Sequence, residues 1–495
     1  MCGISGCVDF QNHAGRYIEA FDEVLRRMRR RGPDEHGRFV SRRAVLLHSR
    51  LSVIDPENGK QPMSEGHYTL TYNGELYNTE ELRRELTVLG HGFRDRSDTE
   101  VLLKSYIQWG EKCLEKLNGI YAFAVWDGGR LFLARDRMGV KPLFYGMADG
   151  ALFFASEIKA LLAYPGIEPV IDREGAAELF LLGPGRTPGR TPFKHIRELK
   201  AGQCAVFDAD GLKIRDYWRL KAAPHTDGFG ETKERVRWLV TDAIKRQTVS
   251  DVPLCSFLSG GLDSSAIAAI SKVTRTFSVD YRDNARFFTA NRFQPDSDAA
   301  YVKIMSEFLG VPHTCVELDT GELVSALFEA AEARDLPGMA DVDSSLLLFC
   351  REVKNSATVA LSGECADELF GGYPWYRDEG VLWQDSFPWS KSPDYRACFA
   401  KTELFEGLDA AGYVRERYEA TRKAADCLQT DSPLERRMRE MFTLNTEWFM
   451  QTLLERRDAK ENEPGASRYT RASPAVQAAY AERFPARIHS RKPWG

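Results

Sequence analysis

The sequence predicts two units of different class: an α+β layered domain, then an α/β domain built on a parallel sheet with added helices. Three observations carry that expectation. Short strand patterns joined by tight turns fill the chain up to residue 216. Beyond residue 231 the order changes to strand-then-helix, and from Glu403 to Arg457 the pattern is mostly helical.

In the first unit, Ala44–Leu47, Tyr68–Tyr72, Ala122–Trp126 and Arg130–Ala134 read as strands. Asp127-Gly128-Gly129 joins the last two as a tight hairpin. Glu19–Met28 and Thr99–Trp109 read as helices. Residues 217–231, punctuated by Ala222-Ala223-Pro224 and Asp227-Gly228, form the expected linker between a domain over 1–216 and one over 232–458. There, Pro253–Leu258 runs into a glycine turn and the helix Ser264–Lys272. Thr276–Val279 is a further strand, and Thr358–Leu361 another, followed by a polar turn and a helix. Alternating βα units place ligands at the carboxyl ends of the strands. Ala459–Gly495 is heavy in Ala, Arg and Pro, with only Val476 and Ile488 as larger aliphatics. It is expected to be an unfolded or weakly docked tail, because so little apolar area cannot offset its ordering entropy.

Composition narrows the function. At 43% hydrophobic residues the 495-residue chain can build packed cores, and a net charge of -5 gives no general attraction to nucleic acid or anionic membrane. The basic run Arg26–Arg31 has Glu19, Asp22 and Glu23 beside it and reads as a solvated helix face. Ten cysteines without CxxC or zinc-ligand spacing suggest reduced thiols in a cytoplasmic compartment. No apolar run reaches the ~18 residues of a spanning helix, and no secretory signal pattern opens the chain. A soluble cytoplasmic protein is the expectation.

Removal of Met1 would make Cys2 the N-terminal residue. Its α-amine, with a reference pKa of ~7.7–8, is a usable base at neutral pH. One residue would then supply both nucleophile and base. Taken alone, a cysteine at position 2 says little. Asn73-Gly74-Glu75 follows a strand and reads either as a type I′ hairpin turn or as an oxyanion hole from the Asn73 amide and the Gly74 N–H, each donor worth ~3 kcal/mol in the transition state. Ser97-Asp98-Thr99-Glu100 is a helix N-cap, and Asp98 can also hold an ammonium. Arg50, within Leu47–Asp55, suits either a surface ion pair or a bidentate grip on a carboxylate.

In the second unit, Ser259-Gly260-Gly261-Leu262-Asp263-Ser264-Ser265 lies between an apolar strand and a helix. Such a turn lets backbone N–H groups and the helix N-terminus approach an anion. It lacks the lysine of a Walker A sequence, which disfavours γ-phosphate transfer. Ser362-Gly363-Glu364-Cys365-Ala366-Asp367-Glu368 puts three carboxylates within five residues of a strand-to-helix turn. They repel one another unless a cation such as Mg²⁺ on a polyphosphate sits among them; otherwise they are first-turn helix acids, with Gly371 as a C-cap.

Met1–Gly6, Arg31-Gly32-Pro33-Asp34, the Arg50 segment, Tyr72–Asn78, Ser97–Glu100 and Arg135–Gly139 together resemble the class II, N-terminal nucleophile glutamine amidotransferases. The resemblance implies an αββα sandwich with Cys2 as nucleophile and Asn73 and Gly74 as the oxyanion hole. Arg50 and Asp98 would grip the α-carboxylate and α-amino group of glutamine, with Leu51, Val53, Ile54 and Glu75 completing the site. The second pair of motifs resembles the PP-loop ATP pyrophosphatases and, in this combination, the glutamine-hydrolysing asparagine synthetases. That likeness implies ATP and Mg²⁺ as cofactors, and L-glutamine, L-aspartate and ATP as small-molecule partners. Ser259, Gly260, Gly261, Asp263 and Ser264 would bind pyrophosphate, and Leu258, Val279, Ser362 and Gly363 the rest of ATP. Asp263 and Asp367 would bind the metal, and Glu364 would be the base for ammonia attack. Met339–Ser345 also matches near this site. The family reaction runs through β-aspartyl-AMP, needs a shielded passage for ammonia, and is habitually housed in a homodimer.

The resemblance runs to about Asp458, through Asn445–Phe449 and Leu454–Asp458. The family then continues into a Gly-Leu-Glu-Val-Arg-Val-Pro-Phe-like segment that this sequence does not contain. The second domain is therefore expected to be C-terminally incomplete, with the frame or gene end altered near residue 459. Lys460 stands where a family lysine near pyrophosphate would fall, and Cys365 stands where glycine is common. The alternatives are an amidotransferase acting on another carboxylate, and a glutaminase or nucleotide-binding protein with an inactive synthetase domain. A β-lactam-forming relative fits less well, because those relatives typically lack the N-terminal cysteine.

Overall fold

The computed structural model describes residues 2–11, 13–290, 296–390, 392–460 and 470–471. The first unit contains β1 (Gly3–Val8), β2 (Glu35–Val40), β3 (Ala44–Arg50), β4 (Met63–Glu65), β5 (Tyr68–Leu76) and β6 (Gly119–Trp126). It continues with β7 (Leu131–Arg135), β8 (Phe144–Ala148), β9 (Ala151–Ala155), β10 (Ile196–Glu198), β11 (Gln203–Asp208) and β12 (Gly211–Asp216). They form two six-stranded sheets, ordered β10-β8-β9-β1-β3-β2 and β12-β11-β7-β6-β5-β4, with every pairing antiparallel.

The alternation of side chains along each strand sets the layers. On β1, Ile4 and Val8 share a core with Ala122, Ala124 and Leu133 of the other sheet. Cys7 faces the opposite way, into a core with Phe21, Val24 and Met28 of helix α1 (Ile18–Met28). The outer face of the second sheet packs Tyr72, Phe123 and Val125 under α2 (Thr79–Val88) and α3 (Asp98–Trp109). The result is the αββα sandwich expected.

Two local readings change. β5 runs past Tyr72, so Asn73-Gly74 is not a hairpin turn; the pair sits in mid-strand opposite Ala122 and Tyr121 of β6. A Cβ on Gly74 would lie 2.2 Å from the Ile120 carbonyl oxygen, so the bare glycine lets the two strands close up. The basic run also divides. Arg26 and Arg27 pair with Glu23 on α1, but Arg31 at its end is only 1% exposed.

The second unit holds a parallel sheet of β13 (Leu254–Phe257), β14 (Thr276–Tyr281), β15 (His313–Leu318), β16 (Val359–Leu361) and β17 (Thr470–Arg471). Its order is β15-β14-β13-β16-β17. The chain leaves β13 toward β14 on one side, and β16 returns on the other. The loops after β13 and β16 therefore flank the switch point, where open α/β sheets bind ligands. The helix Phe229–Arg246 starts within the segment 217–231. Of the sequence expected to be a loose tail, Lys460 ends a helix and Thr470–Arg471 forms β17; its other residues beyond 460 lie outside the described ones. Among the described residues, no helix is long and apolar enough to cross a membrane.

A large apolar cluster joins the two units. Leu51, Val53, Met138 and Val140 of the first share it with Val359, Cys365, Trp448 and Leu454 of the second.

Two candidate active sites and the helix between them

Every residue predicted for the glutamine end lines one cavity, from Cys2 and Arg50 through Asn73 to Asp98. β1 delivers Cys2 to its mouth, where the thiol sulfur accepts a hydrogen bond from Leu51 N at 3.4 Å. Burial pushes the Cys2 thiol above its ordinary pKa. Arg50, at the end of β3, donates from Nη1 to Glu35 Oε2 at 2.8 Å and Pro56 O at 3.1 Å. Its Nη2 donates to Asp55 O at 3.0 Å and to Asn58 O. These bonds tie down the loop carrying Leu51, Val53 and Ile54, and Asp251 of the second unit pins it again by accepting from Asp55 N at 2.9 Å.

Asp98 opens α3, capped by Ser97, whose hydroxyl accepts from Glu100 N. Burial lifts the Asp98 carboxyl to about 6. The Leu76 N–H, 3.1 Å away, lowers it, nearby Glu75 adds to the rise, and the Tyr72 hydroxyl at 3.0 Å lowers it. The Asn73 amide satisfies both its neighbours when its nitrogen donates to Cys2 O at 3.1 Å and its oxygen accepts from Arg31 Nη2 at 3.2 Å. Gly59, Gln61, Tyr72 and Thr99 complete the wall. Sequence reading missed them, and it missed Arg31 as a site residue although it quoted the motif containing it.

At the second site, Gly260 adopts φ +78° and Gly261 caps the helix Leu262–Ser271 in extended conformation. Ser264 Oγ lies 3.0 Å from Ser259 Oγ and accepts from Ser259 N at 3.2 Å. The turn after β16 lies against it, since a Cβ on Gly363 would be 3.0 Å from Asp263 Cβ. Burial raises the Asp263 carboxyl and the nearby Asp367 raises it further. Burial also raises Asp367. Leu258 is buried, its N–H on Phe277 O at 2.7 Å, whereas Val279 is 39% exposed. Gly371 caps its short helix in the left-handed region, as expected. Cys365 adopts φ +73°, the conformation that makes glycine the natural occupant there.

The helix Met450–Lys460 touches both sites in a single turn. Arg457 Nη1 lies 2.6 Å from Glu364 Oε2 and donates to Ser362 Oγ at 2.5 Å, while Arg456 Nη2 holds Glu364 Oε1. Burial pushes the Glu364 carboxyl up, but Arg457 and Arg456 outweigh that and hold it below its ordinary value. The next residue, Asp458, turns to the glutamine end and binds Arg31. A separate cavity of about 860 Å³ beside Trp218, Phe370 and Glu447 contains none of the predicted site residues.

Residues 1–218 match the family model described as a glutamine amidotransferase domain, and residues 235–461 the one described as asparagine synthase. The class is thus an ATP-using ligase domain joined to a glutamine amidotransferase. The chain is 46% identical over 473 residues to glutamine-hydrolyzing asparagine synthetase 3 of Bacillus subtilis (strain 168), covering 92% of this chain and 77% of that one. It is 35% identical over 393 residues to asparagine synthetase 1 of the same organism, covering 76% and 60%. Against asparagine synthetase B of Escherichia coli (strain K12) it is 31% identical over 400 residues, covering 76% and 65%. The chain belongs to the glutamine-hydrolysing asparagine synthetase family. It spans about three quarters of the first of these relatives and less than two thirds of the other two.

Proposed function

We propose that the chain transfers the amide nitrogen of glutamine to aspartate with consumption of ATP, releasing glutamate, AMP and pyrophosphate. The observation that carries this is the gathering of Cys2, Arg50, Asn73, Gly74 and Asp98 in one cavity, joined through one helix turn to Glu364. The domain reading goes with it: glutaminase over 1–216, linker over 217–231, synthetase over 232–458.

Removal of Met1 frees the Cys2 amine, which takes the thiol proton as sulfur attacks the glutamine carboxamide carbon. A buried thiol with a raised pKa needs that adjacent base, because little thiolate exists beforehand. The tetrahedral oxyanion is held by the Asn73 amide and the Gly74 N–H. The Cys2 ammonium gives that proton to the amide nitrogen, the C–N bond breaks and ammonia leaves, and water then cleaves the thioester to glutamate and the free thiol. Arg50 holds the α-carboxylate and Asp98, with Glu75, the ammonium. Leu51, Val53 and Ile54 form the walls.

ATP binds across the ends of β13 and β16. The Ser259–Ser264 turn and its helix N-terminus receive the pyrophosphate portion. Val279, Ser362, Gly363 and the Leu258 main chain face the rest. Among the described residues no cluster of three His, Cys, Asp or Glu can hold a metal alone. Asp263 and Asp367 nevertheless fit Mg²⁺, which commonly takes one or two carboxylates plus phosphate oxygens and water, and the Asp367 charge raises the Asp263 carboxyl, as two like charges close together do. Bound there, Mg²⁺ would neutralise charge on the departing pyrophosphate. The aspartate β-carboxylate displaces pyrophosphate from the α-phosphorus, and ammonia then displaces AMP. Glu364 accepts the ammonia proton as the C–N bond forms. The shielded passage that ammonia needs would run along the apolar cluster containing Leu51, Val53, Met138, Val140 and Cys365. A homodimer rests on family likeness alone. A cytoplasmic location is supported also by ten free cysteines.

The test is incubation with glutamine, aspartate, ATP and Mg²⁺ while glutamate, AMP and asparagine are followed together. Asparagine and AMP in equal amounts is the expected result. Glutamate without AMP would overturn the synthetase half.

A further inference from the structure

Asp458 belongs to the second unit, yet its carboxylate is 4% exposed and is committed to the first. Its Oδ2 lies 2.5 Å from Arg31 Nη1 and its Oδ1 3.2 Å from Arg31 Nη2. Lys141 Nζ stands 4.0 Å from the same carboxylate. Arg31 also has Glu157 as a carboxylate neighbour, at 3.4 Å. Its Nε donates to the Cys2 carbonyl oxygen at 2.9 Å, and Nη2 stands 3.2 Å from the end of the Asn73 amide where an oxygen satisfies both neighbours.

We infer that Asp458 is a positioning residue for glutamine hydrolysis: by fixing the Arg31 fork it orients the Asn73 amide and the Cys2 main chain. The inference rests on the reading of Cys2 as glutaminase nucleophile. An amide has nearly the same shape in its two flipped orientations, so only its hydrogen-bond partners select one. Arg31 sets a donor against one end of Asn73, and the Cys2 carbonyl sets an acceptor against the other. The flipped amide would oppose donor to donor and acceptor to acceptor. The orientation that satisfies both neighbours puts the NH₂ end toward Cys2, the end an oxyanion requires.

A planar guanidinium held by both carboxylate oxygens is fixed in its plane as well as its place. Without the Asp458 charge the buried guanidinium is drawn toward Glu157, and its hold on Asn73 loosens. Substrate capture by Arg50 and Asp98 should be little touched, because other partners hold them: Glu35, Pro56 and Asp55 for Arg50, Tyr72 and Leu76 for Asp98. The loss should therefore appear in turnover and not in affinity. The glutamine site is thus completed from the synthetase side, by the residue that follows the pair gripping Glu364.

The experiment uses the full chain and its Asp458→Asn variant with glutamine alone, measuring kcat and KM for glutamate release. Competent sites are counted by labelling Cys2 with the glutamine analogue 6-diazo-5-oxo-L-norleucine. Expressed per labelled site, kcat should fall about tenfold, a fraction of the ~10²–10³ lost with a whole oxyanion donor, while KM stays within about twofold. Asp458→Glu, which restores a carboxylate, should recover part of the loss. Should Asp458→Asn not fold, Arg31→Lys, which keeps the charge and removes the fork, should show the same kcat-specific loss. An active wild type with unchanged kcat in the folded variant, or a loss confined to KM, overturns the inference alone. A wild type with neither labelling nor glutamate overturns the nucleophile reading and this inference with it.

Discussion

Arg457 holds Glu364 at 2.6 Å from a helix that also reaches Arg31 through the adjacent Asp458. The carboxylate proposed as the base for ammonia attack is thus fixed by the same turn that borders the glutamine site. Glu364→Gln removes the charge both guanidiniums face and puts an NH₂ donor against one of them. AMP and asparagine production should fall by about 100-fold, the scale of a lost general base. Glutamate release should stay within about threefold, since Cys2, Asn73 and Arg31 keep their partners. Unchanged AMP release would remove Glu364 from the chemistry.

Asp98 gives the glutamine site a pH dependence of fixed sign. Burial lifts its carboxyl to about 6 in the free protein, and only the ionised form attracts the substrate ammonium. As pH falls through about 6, kcat/KM for glutamine should drop, approaching about tenfold per pH unit below it, because that ratio reports groups of the free enzyme. Asp98→Asn should lower kcat/KM at neutral pH and abolish this limb. Stability runs the opposite way. The folded group binds its proton more tightly than the unfolded one, whose pKa is ~3.9. Its contribution therefore declines as pH rises from about 4 to about 6. Melting temperatures of wild type and Asp98→Asn across that range would show the difference closing toward acid.

Gly74 combines a backbone donor with a strand contact that admits no side chain. A Cβ there would meet Ile120 O at 2.2 Å and Tyr121 Cα at 2.7 Å, both part of β6. Gly74→Ala must open the β5–β6 pairing and withdraw the N–H proposed for the oxyanion, so kcat for glutamine hydrolysis should fall by about 100-fold or more. Gly92→Ala, where a Cβ meets nothing within 4 Å, is the control and should behave as wild type. Normal turnover in Gly74→Ala would remove that N–H from the mechanism.

What could be read in the sequence was local. Cys2, Arg50 and Asp98 each lie in a short motif at the end or start of an element, where capping and strand-end rules apply, and the fold brings them together as expected. Asn73-Gly74 shows where a local rule loses: the dipeptide favours a turn, but pairing with β6 on the core face carries the strand through it. Arg31 looked like the end of a solvated basic run, because its partner Asp458 is 427 positions away and only the tertiary fold joins them. Cys365 was legible as a departure from glycine. Its φ of +73° supplies the physical reason, which no spacing rule contains.

Gly260 separates the two halves of the proposed function. At φ +78° a side chain is strained by ~1–2 kcal/mol, and a Cβ would also lie 2.6 Å from Tyr301 Cβ and 2.7 Å from Val302 N. The helix Asp298–Leu309 that carries both atoms cannot yield without dragging its backbone, so the Ser259–Ser264 turn must move instead. Gly261 is extended, and the nearest atom to a Cβ there is Ser259 Oγ at 3.4 Å, an ordinary contact. Gly260→Ala should therefore weaken ATP binding by about tenfold or more, since each ~1.4 kcal/mol is a factor of ten, while Gly261→Ala costs clearly less. Both should hydrolyse glutamine at the wild-type rate, because the turn belongs to the other unit. Calorimetric titration with ATP beside glutamate release measures the two halves in one preparation. Equal ATP affinity in wild type and Gly260→Ala would mean that the phosphates bind elsewhere.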